Sequence, residues 1–370
     1  MNRGPDPGSH LHGGAAVPMG AERAHPAGPE EWWQEGWDAD WATSDGTLGG
    51  HVRWTLTPHR GVAWFWAAVA GPGRSLVLVV EQGAAPPRRG SLELRAEGLW
   101  ADHIVETPLD HVSIQCEAFA VALDDPAAAL GEPRGDLVPL GLDLEWETER
   151  PELVVATGPD RFEVACRVHG EVLVGDQRHD VDGTGRRTRT WGPARWWTHD
   201  WTRFAAALDD GTHLSLAFDD GPRTAASPPG QGEVAGPAGG EGGARLVLPG
   251  PGGDQVRPGV AHGGDQVGPV THGGVGHIVP AGGGGVVAVA DATLREGRAI
   301  AGRLLGPAEI RAGGRTWTVE PLADAPVWVT ASPAPTGATA PASRLVRTLC
   351  RVRSDEGAIG HGWFERNRPA

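Results

Sequence analysis

Apolar and polar residues alternate with period two over long stretches of this chain. Leu140, Leu142, Leu144 and Trp146 alternate with Gly141, Asp143, Glu145 and Glu147, as in a strand with one face buried and the other in water. Ile114, Cys116, Ala118 and Ala120 repeat the pattern, as do Phe162, Val164, Cys166 and Val168; Leu214, Leu216 and Phe218 resume it after the turn Asp209-Asp210-Gly211. Further strands are predicted at Val62–Ala70, Leu76–Val80, Leu92–Leu99, Thr316–Val319, Val327–Thr330 and Leu345–Val352, with turn residues between them. Only Pro126–Leu130 and Ser9–Met19 hint at helix, and both are short and bounded by Gly or Pro. The predicted class is all-β: two consecutive antiparallel lipocalin-like β-barrels or bent sandwiches.

Residues 1–29 and 224–285 break the pattern. Both are rich in Gly and Pro and poor in apolar residues, and the second repeats GGDQV at Gly252–Val256 and Gly263–Val267. Such segments cannot bury enough apolar surface to order themselves. The expected organisation is a disordered tail (1–29), a first barrel (30–180) and a second barrel (181–370) that carries a flexible insertion (224–285).

Composition narrows the chemistry. Of 370 residues, 57 are Gly and 32 are Pro, and the formal charge is −15. All 32 basic residues are Arg, and there is no Tyr. Without Lys there is neither a Walker-type phosphate loop nor a Schiff-base lysine, and without Tyr no phenolic acid. An acidic chain lacking a basic block does not suggest a nucleic-acid partner. Cys116, Cys166 and Cys350 form no C-x-x-C pair. The longest apolar run, Val62 to Ala70, spans nine residues, well short of the roughly 20 of a membrane helix, and the N-terminus lacks a secretion signal. A cytoplasmic protein without a membrane span is expected, its oligomeric state open. No cofactor and no metal are expected, since His179, His199, His213 and His361 show no ligand-like spacing.

Sixteen tryptophans are the chief anomaly. Trp32, Trp33, Trp37 and Trp41 form one group; Trp191, Trp196, Trp197 and Trp201 form another beside Arg186, Arg187 and Arg189. Each indole can simply fill core, but several together can wall a cavity for a bulky apolar ligand. His199-Asp200 and His213 follow the second group. An adjacent His and Asp on a strand point to opposite faces, so they do not form a direct pair. Asp143, Glu145, Glu147 and Glu149 read as an exposed face rather than a pair of glycosidase acids.

The stretch VDGTGRRTRTWGPARWW, Val181–Trp197, resembles the signature of two-domain, lipocalin-like β-barrel proteins related to carotenoid hydratase (hydroxyneurosporene synthase) and AttH-like proteins. Gly183, Gly185, Arg187, Trp191, Gly192 and Arg195-Trp196 carry the match. Asp355-Glu356-Gly357 followed by Gly360–Glu365 resembles that family's closing strand, and Asp125-Pro126 with Leu137–Trp146 the end of its first barrel. The resemblance implies two barrels and a hydrophobic small-molecule partner, of isoprenoid, steroid or polyketide type. Arg187, Trp191, Trp196, Trp197, Trp201, His199 and His213 are the candidate ligand-binding residues, in a barrel cavity. Arg187 is expected to point inward and to pair with Glu365.

It also raises cofactor-free hydration, which needs a buried, protonated carboxyl group to protonate an alkene. Where the family commonly has Asp-His-Ser, this chain has Thr188, Arg189 and Thr190. Either Asp182, Asp200 or Glu365 supplies the acid, making the protein a hydratase-like lyase, or the protein binds without catalysing. A carbohydrate-binding sandwich with exposed Trp platforms and a structural protein with filled barrels are the competing classes.

Overall fold

The alternating segments become two antiparallel sheets in the computed structural model, which describes residues 17–88, 90–222, 271–282, 285–298, 302–331 and 340–370. The first sheet holds β1 (Trp33–Thr43), β2 (Gly49–Thr57), β3 (Val62–Ala70), β4 (Leu76–Ala84), β5 (Leu94–Ala96), β6 (Leu99–Thr107), β7 (His111–Leu123), β8 (Asp136–Glu147), β9 (Val154–Gly158), β10 (Arg161–Val174) and β11 (Gln177–Pro193). The second holds β12 (His199–Leu208), β13 (His213–Pro222), β14 (Thr271–Val279), β15 (Val287–Glu296), β16 (Ala308–Ala312), β17 (Arg315–Asp324), β18 (Val327–Thr330), β19 (Ala342–Ser354) and β20 (Ile359–Pro369). A ladder between β4 and β7 closes the first sheet into an eight-stranded barrel, and one between β17 and β19 draws the second sheet round in the same way. The all-β, two-domain expectation holds. Closure removes the sheet edges that would otherwise invite aggregation.

Strand parity decides what each face meets. On β1, β2 and β3, one set of alternate residues (Trp37, Trp41, Trp54, Phe65) fills the first barrel with Trp146 and Phe162. The second barrel is filled by Phe204, Phe218, Leu294, Ile310, Trp317 and Phe364. The opposite set from β3, Trp64 and Trp66, is equally buried, because it packs with Trp196, Trp201, Leu345 and Trp363 in a third cluster between the barrels. That explains why Val62–Ala70 is apolar without alternation: both faces of β3 are covered.

Three expectations need correction. β11 belongs wholly to the first sheet, because its residues 183–193 pair with β1; the chain therefore passes between sheets at residues 194–198, not at 181. Thr271–Val279, placed in the insertion, is β14, held by ladders to β13 and β15; the rest of 223–270 lies outside the described residues. In the tail, residues 1–16 lie outside them too. Met19–Glu22, by contrast, forms a 3₁₀ turn with Ala21 and Glu22 buried, since Glu22 is paired inside the first barrel. Of the two helix hints, Pro126–Ala129 is a 3₁₀ turn capped by the Asp125 side chain, and Ser9–Met19 lies largely outside the described residues. Among the described residues no helix is long and apolar enough to cross a membrane.

Gly185 lies mid-strand on β11, opposite Trp41 on β1, and a methyl group there would run into the Asp40 carbonyl. A Cβ is fixed by its own backbone and here meets backbone, so relief requires moving a strand. Gly185→Ala is expected to destabilise the protein by about 1–3 kcal/mol, read as a lowered Tm in calorimetry.

Candidate functional site

The candidate site lies where the outer faces of the two barrels meet, and cross-strand neighbours build it. On the first barrel Asp38 of β1 sits opposite Arg53 of β2 and Thr188 of β11. On the second barrel Glu365 of β20 sits opposite Arg347 of β19 and Arg203 of β12. The two rows interlock through Arg347. Its Nη2 donates to Asp38 Oδ1 at 2.6 Å, and its Nε donates to Glu365 Oε2 at 2.8 Å. Trp201 Nε1 donates to Glu365 Oε1 at 3.0 Å, and Arg203 reaches the same oxygen at 3.5 Å. Arg53 stands 3.5 Å from Asp38 and lies over the Trp196 ring at 5.0 Å. The connection between the barrels is fixed by Asn367, whose Nδ2 donates to the Trp196 and His199 carbonyls at 2.9 and 3.0 Å.

A cavity of about 100 Å³ opens on this network. Five arginines line it against three carboxylates (Asp38, Asp160 and Glu365), so its wall is net positive. Four buried polar atoms on that wall, Arg347 Nη1, Asp38 Oδ2, Thr188 Oγ1 and Thr190 Oγ1, have no hydrogen-bond partner. Burial pushes the Glu365 carboxyl up, but Arg347 and Arg203 overcome it and hold it well below the ordinary range. The same contest at Asp38, against Arg347 and Arg53, also ends lower. Both are anions at neutral pH and cannot serve as proton donors to an alkene.

A second, smaller cavity of about 40 Å³ lies in the same seam, lined by Asp40, Glu163, Arg186, His213, His277 and His361 among others. Arg186 donates to Asp40 at 3.1 Å and to Glu163 at 3.4 Å, and Ser215 Oγ donates to Glu163. At Asp40 burial outweighs Arg186, and its carboxyl is raised above the ordinary range. His213 is pushed down to about 4 by burial, then by Arg150, and is neutral.

The sequence-predicted residues divide among several places. Glu365, Trp191, Trp196, Trp201 and His199 line the larger cavity, and His213 the smaller. Trp197 instead packs against Trp32 and Trp64, with ring centroids 4.7 and 6.1 Å away. Asp182 is exposed and reaches Arg167 at 3.3 Å, and Asp200 approaches Arg368 at 3.9 Å; neither lines either of these two cavities. Arg187 points inward as expected, but into the first barrel, where it donates to Glu22 at 2.8 Å. Its expected pairing with Glu365 is therefore corrected: Glu365 pairs with Arg347. The expected placing of these indoles inside a barrel is also corrected: Trp196, Trp197 and Trp201 pack between the barrels, while Trp191 packs against the first barrel's core.

Sequence reasoning missed Asp38, Asp40, Arg53 and Arg347. The first two had a readable signal: Trp37-Asp38-Ala39-Asp40-Trp41 alternates indoles with carboxylates, so one face was bound to bury charge if both were covered. Arg347 lies in no motif, and its partner Asp38 is 309 positions away in sequence.

With the geometry described, comparison with known proteins places it. The profile of the domain of unknown function DUF7064 matches residues 19–230, and the chain belongs to that family. An AttH-like protein from Nitrosomonas europaea shares the fold: TM-score 0.54, 13% identity, 95% of this chain and 97% of that one covered. Kievitone hydratase from Nectria haematococca is also similar, with a TM-score of 0.47 and 10% identity over 91% of this chain and 90% of that one, too remote to carry an argument. None of the curated proteins matches the sequence.

Removing one member of a buried ion network leaves the others uncompensated, at about 3–5 kcal/mol. Arg347→Met should destabilise the protein by that order at pH 7. The sign with pH follows from the shifts. With Arg347 present, Asp38 and Glu365 are depressed, so their stabilisation exists above the ordinary carboxylate range and is lost as pH falls through it. Without Arg347 both lose their largest lowering partner, leaving Arg53 at Asp38 and Arg203 at Glu365, so less of this pH-dependent stabilisation remains. Denaturant midpoints of the two proteins should therefore diverge between about pH 3 and pH 6; parallel curves would contradict the charge assignment.

Proposed function

We propose that the interbarrel cavity binds a small molecule with an oxygen-bearing, electron-rich head group and an apolar body. The observation that carries this is the pair of buried, unpartnered groups, Arg347 Nη1 and Thr188 Oγ1, on its wall. Other buried polar atoms in this chain also lack partners, but these converge on one cavity, which points to an outside partner. Arg347 offers a donor and Thr188 either a donor or an acceptor, which suits a carbonyl, carboxylate or enol. The indoles of Trp191, Trp196 and Trp201 supply an apolar wall beside it.

Volume sets a limit. About 100 Å³ is well below the roughly 300–1,000 Å³ of a pocket that encloses a drug-sized ligand. An isoprenoid, steroid or polyketide would place only its polar end here and lay its body toward the open mouth. Sugar-stacking platforms are a poorer match, because Trp196 and Trp201 are only 4% and 7% exposed and offer no open flat face.

The raised carboxyl of Asp40 faces the smaller cavity, away from a ligand held in the larger one, so binding without turnover is the reading the site supports.

Thr188→Val tests the binding reading, because it swaps the hydroxyl for a methyl of the same shape. Native mass spectrometry of the full-length protein should show a co-purifying small molecule that is depleted about tenfold in the variant, the ratio expected for one lost buried hydrogen bond of about 1.4 kcal/mol. The variant's Tm should match or exceed the parent's, since an unsatisfied buried group has been removed. A higher Tm with no bound molecule in either protein would favour a structural protein with filled barrels.

A further inference from the structure

The carboxylate strand noted in the sequence lies on the outer face of the first barrel, where the fold brings two histidines against it. β8 contributes Glu145 and Glu147, two residues apart and so on one face. His111 of β7 pairs across the ladder with Glu147, and His169 of β10 pairs with Glu145. Each imidazole then reaches diagonally to the other carboxylate. His111 Nε2 is 2.9 Å from Glu145 Oε2, and His169 Nε2 is 3.4 Å from Glu147 Oε2. Ligand atoms of His111, Glu145 and Glu147 all lie within 4.8 Å of one another.

We infer that His111, Glu145 and Glu147, with His169 as fourth ligand, form a binding site for a divalent transition-metal ion of the zinc class. Two imidazoles and two carboxylates are a donor set such ions accept, with metal–ligand bonds of about 2.0–2.2 Å. Donor atoms around a tetrahedral ion of that size stand about 3.4 Å apart; the two diagonal contacts are already of that order, and His169, outside the 4.8 Å group, turns inward to complete the set. A smaller, harder ion such as magnesium prefers six oxygen ligands and discriminates against imidazole.

Charge supports the same assignment. Among the described residues Glu145 and Glu147 form ion pairs with His111 and His169 and with no arginine, although all 32 basic residues of the chain are Arg. With neutral imidazoles the group carries two negative charges, which one divalent ion cancels. Each histidine moves its proton to Nδ1, leaving Nε2 as the ligand atom. The ion ties together three neighbouring strands of the barrel. The site shares no residue with either interbarrel cavity, so it does not depend on the proposed function.

The test is equilibrium dialysis of the full-length protein against zinc chloride, with His10 and His12 replaced by Gln to remove a competing pair in the tail. One equivalent of zinc should bind at micromolar concentration and should not be displaced by millimolar magnesium. Cobalt(II) in its place should give the intense visible absorption of a tetrahedral ion. Adding His111→Gln and His169→Gln should weaken zinc binding at least tenfold, while the metal-free Tm stays within a degree or two. Undiminished binding in that variant, or no stoichiometric binding in the parent, would overturn the assignment.

Discussion

One guanidinium holds the two barrels in register. Arg347 leaves the second barrel, is anchored at home by Glu365, and crosses to Asp38 on the first. Each of these groups alone would be expelled from a dry interior, because transferring an unpaired charge out of water costs several kcal/mol or more. Together they are stable only when both sheets present the right residue at the right height. Apolar packing by Trp64, Trp66, Trp201 and Trp363 supplies adhesion, but apolar surfaces tolerate sliding. The ion network does not, since a displaced strand would bury a carboxylate without its arginine. Charge here specifies geometry, and indole burial supplies the driving force.

This division of labour explains the tryptophan count. A barrel of eight strands needs large side chains for its interior, and Trp41, Trp54, Trp146 and Trp317 serve there, all fully buried. The seam needs a second set on the opposite parity, which other barrels leave to water. With no Tyr and only 6 Phe, indole is the large aromatic available for both. Its N–H must then be satisfied or left wanting. Trp363 donates to the Trp41 carbonyl at 2.9 Å and Trp146 to the Asp40 carbonyl at 3.0 Å. These bonds tie each ring to β1, the first-barrel strand that lies against β20 across the seam.

How much was legible in the sequence follows from how far each property reaches. Period-two alternation is local, and it located strands such as Leu140–Trp146 and Phe162–Val168 correctly. The pairing of β11 with β1, across some 150 residues, is not local, and the domain boundary was accordingly misplaced by about a dozen residues. Arg187 shows the subtler failure. It does point inward, but the cavity lies on the outer face, so strand parity hands that role to its neighbours Thr188 and Arg186. Glu365, Trp196 and Trp201 were found because a motif marked their segments, whereas Arg347 had no such mark. An isolated Arg in an apolar strand, Leu345–Leu349, was nonetheless a hint that both faces of that strand are buried.

The same interlock constrains how a ligand can enter. Among the polar atoms left over on the cavity wall, Thr188 Oγ1 comes from the first barrel and Arg347 Nη1 from the second. A molecule that satisfies both must bridge the seam, so binding and barrel alignment are thermodynamically linked: whatever stabilises one stabilises the other. The converse also holds. Separating the barrels enough to admit a bulky body would expose Asp38 and Glu365 to water and weaken their hold on Arg347. A ligand that keeps its body at the mouth and inserts only an oxygen-bearing end avoids that penalty. For the proposed ligand the ion network would act as a depth gauge, because its own stability limits how far an apolar body can penetrate.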